Sequence, residues 1–294
     1  METTRTGTSW TLSAPASLVL LAGEDASDQE VIRLMLLEMV VRRMLKLSVT
    51  HGRKLLIFSK RTYLLSSGIN AQRRADGPLE RVVELMPAMT SRTYKDGAAG
   101  IPVRLFVRSM IEKMLLSTFT PGSIQEQWFW PESFMEAEIL PDMADSGADR
   151  QCEYTESAQE LINTLWGIIE QGRRDFAHWV ANDAQKAVEF VARAGAAMLL
   201  MPVLAPEVRK LYQQVRYQVS QRHMQGTFGL AALAESFGPG KDDGYDTASY
   251  LLAEEIDRAW SELMGSLPGV RRNAVYSGGR FLSGSTNRGD VGSQ

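Results

Sequence analysis

Residues 29–65 read QEVIRLMLLEMVVRRMLKLSVTHGRKLLIFSKRTYLL, and a change of rhythm inside this stretch decides the fold class. In its first half Ile32, Met35, Leu36, Met39, Val40 and Met44 recur at three and four residues, the spacing of one helical face. Ser27 or Asp28 stands where a cap belongs and Glu30 favours the first turn, so a helix is expected over about 29–45. Arg33, Glu38, Arg42, Arg43 and Lys46 interrupt the apolar residues so as to leave one clean face, which describes an amphipathic helix and not a membrane span. From residue 45 the pattern becomes β-prone: 45–49 and 54–65 read as two strands, with His51-Gly52 at the turn.

Outward from this stretch the same order repeats. On the N-terminal side, residues 1–10 are polar and 12–22 form a short apolar element entered after Ser13 and Pro15. On the C-terminal side, Leu79, Val82, Val83 and Met86 define a helix that Pro87 ends. Pro102 then opens a helix over 103–116, with Val103, Phe106, Val107, Met110, Ile111 and Met114 on one stripe, and 127–134 reads as extended. Helix followed by hairpin, twice over, is the order of winged-helix units, a scaffold that does not by itself imply DNA binding.

The segment PDMADSGADRQ, 141–151, has linker composition, with small and acidic residues and no apolar period. Beyond it, helices are expected over 158–171, 181–201, 207–225 and 246–265, with a shorter one over 230–237 before the loop GPGKDDGY. The expectation is therefore a mainly α protein. It has a winged-helix-like basic region over 11–140, a helical region over 151–265 and a disordered, Gly/Ser/Arg/Asn-rich tail over 269–294. The Arg288-Gly289-Asp290 tripeptide in that tail matches an adhesion motif at the level of chance.

A chain of 294 residues buries a core without staples, and the single cysteine, Cys152, excludes an intrachain disulfide framework. The start METTRTGTSW lacks a basic stretch followed by an apolar run, so a cytoplasmic location is expected. The longest apolar run, AGAAMLLMPVLAP at 194–206, falls short of the roughly 20 residues a crossing requires and is broken by Pro202. It reads as a buried helix, and no transmembrane segment is expected.

The formal net charge of −3 conceals a separation of sign. Between Arg42 and Lys113 there are 15 Lys and Arg against 5 Asp and Glu, whereas 124–160 carries 10 acids against one Arg. Such a basic region attracts an anionic lipid surface, nucleic acid or an acidic protein face, unless the acidic segment covers it within one chain or between subunits of a homo-oligomer. Arg104 and Arg108, four apart on one helix, share a face and either clamp an anion or pair with Glu112 or Asp96. Arg42 and Arg43 at a helix end either contact an anion or complement the helix dipole. Arg73 and Arg74 read as solvated loop residues.

Catalytic signatures do not emerge. His51, His178 and His223 occur singly, there is no Gly-x-Ser-x-Gly elbow, and Gly238-Pro239-Gly240-Lys241 lacks phosphate-loop spacing. No cofactor or metal is expected. His178 and Trp179 read as interior helix residues, and the Trp128-Phe129-Trp130-Pro131 cluster as core filling or an interfacial anchor.

Residues 37–47, LEMVVRRMLKL, resemble the helix of the Golgi phosphoprotein 3 family, where a Leu-Glu pair is followed four residues after the Glu by Arg and then by a Leu-x-Leu strand entry. Arg53-Lys54-Leu55-Leu56, the 79–86 helix and the 103–116 helix with Ile111-Glu112-Lys113 come in that family's order, over roughly 12–235. The resemblance implies a peripheral membrane protein that recognises phosphoinositide headgroups with a basic pocket and inserts an apolar hairpin tip. Here the loop before the Glu-bearing helix is cut to 23–28, without the family's Trp, and Arg33, Arg104 and Arg108 fall about a residue out of register with its basic positions. A non-enzymatic binding or adaptor protein is expected, engaging an anionic surface through Arg33, Arg42, Arg43, Arg104 and Arg108. A tandem winged-helix nucleic-acid-binding regulator or a protein scaffold is the alternative. Against the former, the 103–116 helix has no Asn or Gln to read adenine.

Overall fold

Ser13 and Ser27 set the first two helices. The Ser13 hydroxyl accepts from the Ala16 N–H at 3.3 Å and starts α1, Ala14–Ala22. The Ser27 hydroxyl accepts from the Glu30 N–H at 3.2 Å and starts α2, Asp28–Val41, whose Asp28 and Glu30 favour the positive end of the dipole. Gly23, at φ 55°, turns the chain out of α1, and a Cβ there would lie 2.8 Å from the Tyr154 hydroxyl. The computed structural model describes residues 11–54, 58–71, 92–93, 97, 99–116, 135–138, 151–215, 230, 233–234 and 248–266.

Within α2 burial goes further than one stripe. Ile32, Met35, Leu36 and Met39 are buried as the periodicity predicts, but so are Val31, Leu34, Leu37 and Val41, while Val40 is only half-buried. The reason is tertiary: α1 packs on one side of α2 and the C-terminal helix on another, so the helix is a central element. It ends at Arg42 and not at Leu45, in a Schellman closure. The Arg43 N–H donates to the Val40 carbonyl at 3.0 Å and the Met44 N–H to the Met39 carbonyl at 2.9 Å, with Arg43 left-handed at φ 57°.

Two strands follow, β1, Leu45–Lys54, and β2, Phe58–Ser67, antiparallel over their full length. The turn expected at His51-Gly52 is displaced. Those residues lie inside β1, opposite Arg61 and Lys60, and the connection falls between Lys54 and Phe58. The hairpin is closed at its base by the loop after β2: the Gly68 N–H donates to the Met44 carbonyl at 2.8 Å and the Asn70 N–H to the Arg43 carbonyl at 2.9 Å. Strands β3, Arg92–Thr93, and β4, Ala99–Pro102, complete a small antiparallel sheet of order β1-β2-β4-β3. Helix α3, Val103–Leu116, starts directly after Pro102 and buries Val103, Phe106, Val107, Met110 and Ile111 as its stripe predicts.

A short pair, β5, Met135–Glu138, and β6, Gln151–Tyr154, leads to α4, Glu156–Asn182, capped by Thr155. Asp183 closes α4 and caps α5, Ala184–Ala194, through the Lys186 N–H at 3.1 Å. The single helix expected over 181–201 is thus interrupted twice. Gly195, at φ 50°, ends α5, and the apolar run continues as two 3-10 turns, Gly195–Leu200, which is buried, and Pro202–Leu204, of which only Leu204 is buried. Phe176 and Trp179 each pack on Phe190, with ring centroids 5.6 and 5.5 Å from it. Helices α6, Ala205–Val215, and α7, Ala248–Ser266, follow, and α7 packs on both α2 and α3.

The protein is mainly helical, with its small antiparallel sheet in the N-terminal half. Apolar residues of α1, α2, α3, α4, α5, α6, α7 and the 3-10 turns join in one core. The expected helix at 79–86, the extended piece at 127–134 with Trp128 and Trp130, the linker at 141–150 and the tail at 269–294 lie outside the described residues.

Candidate functional site

The distal end of the hairpin gathers positive charge. In register, His51 faces Arg61, Gly52 faces Lys60, Arg53 faces Ser59 and Lys54 faces Phe58, and the residues joining the strands are Leu55-Leu56-Ile57. From Arg42 through Arg61 the sequence holds Arg42, Arg43, Lys46, Arg53, Lys54, Lys60 and Arg61 but no acid, and the next acid is Asp76. At about 3.4 Å per strand residue, the cations at the turn end lie roughly 20–30 Å along the ribbon from the exit of α2. Charges at adjacent rungs add to one field at the turn end of the hairpin.

A second basic surface lies on α3. Arg104, Leu105 and Arg108 are exposed while the opposite face is buried. Both guanidinium groups are paired. Arg108 Nε donates to Glu112 Oε1 at 3.0 Å, the intrahelical partner that the spacing predicts. Arg104 Nη2 pairs with Glu262 Oε1 of α7, a residue 158 positions away that no local pattern identifies. Asp96, the other partner considered for this pair, lies outside the described residues.

No family model, curated protein or solved structure matches this chain. What the surfaces can do is therefore argued from their chemistry.

The three arginines of the α2 region have separate surroundings. Arg33 Nη2 lies 3.9 Å from Glu30 Oε1, a partly exposed pair. Arg42 Nε donates to Glu38 Oε1 at 2.7 Å, and the other Glu38 oxygen accepts from the Ala14 N–H at 2.7 Å. Glu38 is fully buried, so Arg42 and Glu38 together tie the start of α1 to the end of α2. Burial pushes the Glu38 carboxyl above its ordinary range, against the pull of Arg42 and the Ala14 amide. Arg43 is exposed. Nine residues along an α-helix amount to about half a turn in azimuth and some 13 Å in rise, so Arg33 and Arg42 do not converge on one anion. Arg104 and Arg108 do share a surface.

The role of Glu38 was legible only in part: a Glu inside an apolar stripe with Arg four residues later announces the pair, but nothing local announces Ala14. His178, expected inside, is exposed, and its Nδ1 lies 3.1 Å from Asn182 Nδ2, because the buried face of α4 is set by Phe176, Trp179 and Val180. Among the described residues, no group of three or more His, Cys, Asp or Glu is gathered to hold a metal ion. Among them too, no helix is long and apolar enough to cross a membrane.

Proposed function

We propose that this is a non-enzymatic binding or adaptor protein of the cytoplasm. In this reading it associates peripherally with an anionic membrane surface of phosphoinositide-like headgroups through its basic N-terminal half. The observation that carries the reading is the turn end of the β1–β2 hairpin, where Arg53, Lys54, Lys60 and Arg61 occupy neighbouring rungs of the ladder. Cations at a hairpin end whose connecting sequence, Leu55-Leu56-Ile57, is apolar suit the boundary of a bilayer, where charge meets headgroups and apolar side chains meet acyl chains. The resemblance to the Golgi phosphoprotein 3 family supports the same reading, with the α2–hairpin and α3 units as its winged-helix-like scaffold. The nucleic-acid alternative draws less support, because the 103–116 helix carries no Asn or Gln to read adenine.

Cosedimentation with neutral and phosphatidylserine-containing vesicles, at low and physiological salt, tests the proposal. Wild-type protein is expected to pellet with the anionic vesicles only. Each cation near such a surface contributes about 1 kcal/mol, so Arg53→Ala/Lys54→Ala/Lys60→Ala/Arg61→Ala is expected to lower partitioning roughly 100- to 1000-fold. Equal pelleting with neutral and anionic vesicles, or none with either, rejects it.

A further inference from the structure

The two carboxylates on the arginine face of α3 differ in origin. Glu112 stands one turn along the same helix as Arg108, so an approaching anion meets that pair as a unit. Glu262 belongs to α7 and reaches Arg104 across the seam between two helices. We infer that Glu262 acts as an internal substitute for an external anion at Arg104, so that the α3 face engages an anionic lipid surface only as phosphate displaces this carboxylate. The inference rests on the membrane reading above and adds a second, regulated contact to the hairpin.

Three observations support it. The Arg104 side chain is 50% exposed and that of Glu262 35%, so the pair is at the surface and can exchange partners. Its backbone supports are fixed: Leu252, Ile256, Ala259 and Leu263 anchor α7 in the core, so exchange requires side-chain rotation and not undocking of the helix. Leu105, beside Arg104, is 56% exposed and gives the face an apolar contact to set among headgroups. A guanidinium takes phosphate oxygens in a forked geometry at least as readily as a carboxylate, which makes the exchange chemically even. Since an exposed pair holds its partners weakly, the masking amounts to a few-fold in affinity, suited to tuning attachment.

The test is vesicle cosedimentation at low salt with phosphatidylserine-containing vesicles, using intact protein. Glu262→Gln is compared with Glu189→Gln, which removes the same charge from an exposed position on α5. The expected result is partitioning about 2- to 5-fold higher for Glu262→Gln than for Glu189→Gln, the range an exposed ion pair allows. In Arg104→Ala/Glu262→Gln the gain should vanish. Equal partitioning of the two single variants, with wild type still pelleting, overturns the inference and leaves the membrane reading standing. So does a gain that persists without Arg104. Failure of wild type and every variant to pellet overturns both.

Discussion

Glu38 is a fully buried carboxylate in the middle of an apolar helix, and its energetics follow from three neighbours: low-dielectric surroundings, Arg42 and the Ala14 N–H. Desolvation outweighs the other two, so the folded protein holds the Glu38 proton to higher pH than the unfolded chain, whose value is near 4.5. The stability this group contributes is then fully present below that value and is lost as pH rises through the folded value. Glu38→Gln, which cannot titrate, should remove that slope. Urea midpoints of the two proteins should lie closest near pH 4 and separate toward pH 7 as the wild type loses stability, and parallel curves would show that Arg42 and Ala14 fully offset the burial. The spacing of four permits the pairing with Arg42, a residue expected instead to meet an anion or the helix dipole. The Ala14 contact was not readable, because it depends on where α1 lies.

At the scale of elements, the junction between α2 and the hairpin is the most constrained part of the N-terminal half. Arg43 adopts the left-handed conformation that glycine favours, its carbonyl accepts from the Asn70 N–H, and the Arg42 carbonyl accepts from Asn70 Nδ2 at 2.9 Å. A Cβ on Gly68 would overlap the Arg43 carbonyl, so the two strands leave and return through one tight closure. A side chain in the left-handed region costs about 1 kcal/mol or somewhat more. Arg43→Gly is therefore expected to stabilise the protein by about 0.5–1 kcal/mol after the larger unfolded-state entropy of glycine is counted, as read by chemical denaturation. Loss of stability instead would mean that the Arg43 side chain makes contacts worth more than the strain. The same junction explains a misread turn. His51-Gly52 has the composition of a hairpin loop, but the register set at the base carries β1 past it, so Gly52 pairs with Lys60.

At the scale of the molecule, α7 packs late-sequence residues on α2 and α3 of the N-terminal half. Ile256 on its buried face is 1% exposed and sits in the core that α2 and α3 also enter. Ile256→Ala should cost about 3 kcal/mol through lost burial and a residual cavity. Because the core is continuous, tryptophan fluorescence and far-UV circular dichroism should report one coincident transition in wild type and variant alike. Two separated transitions would mean that the N- and C-terminal helices melt independently. The sequence by itself determined the helical stripes of α2 and α3, a cap at Ser27 or Asp28, the presence of a hairpin after α2 and the concentration of positive charge, because each depends on neighbours within a few residues. Only the tertiary structure decided that α2 is buried nearly all round, that the 194–206 run breaks into 3-10 turns, that Glu38 holds the start of α1 and that Arg104 is paired with Glu262. Those depend on which surfaces meet across long stretches of chain, and local periodicity carries no record of the partner.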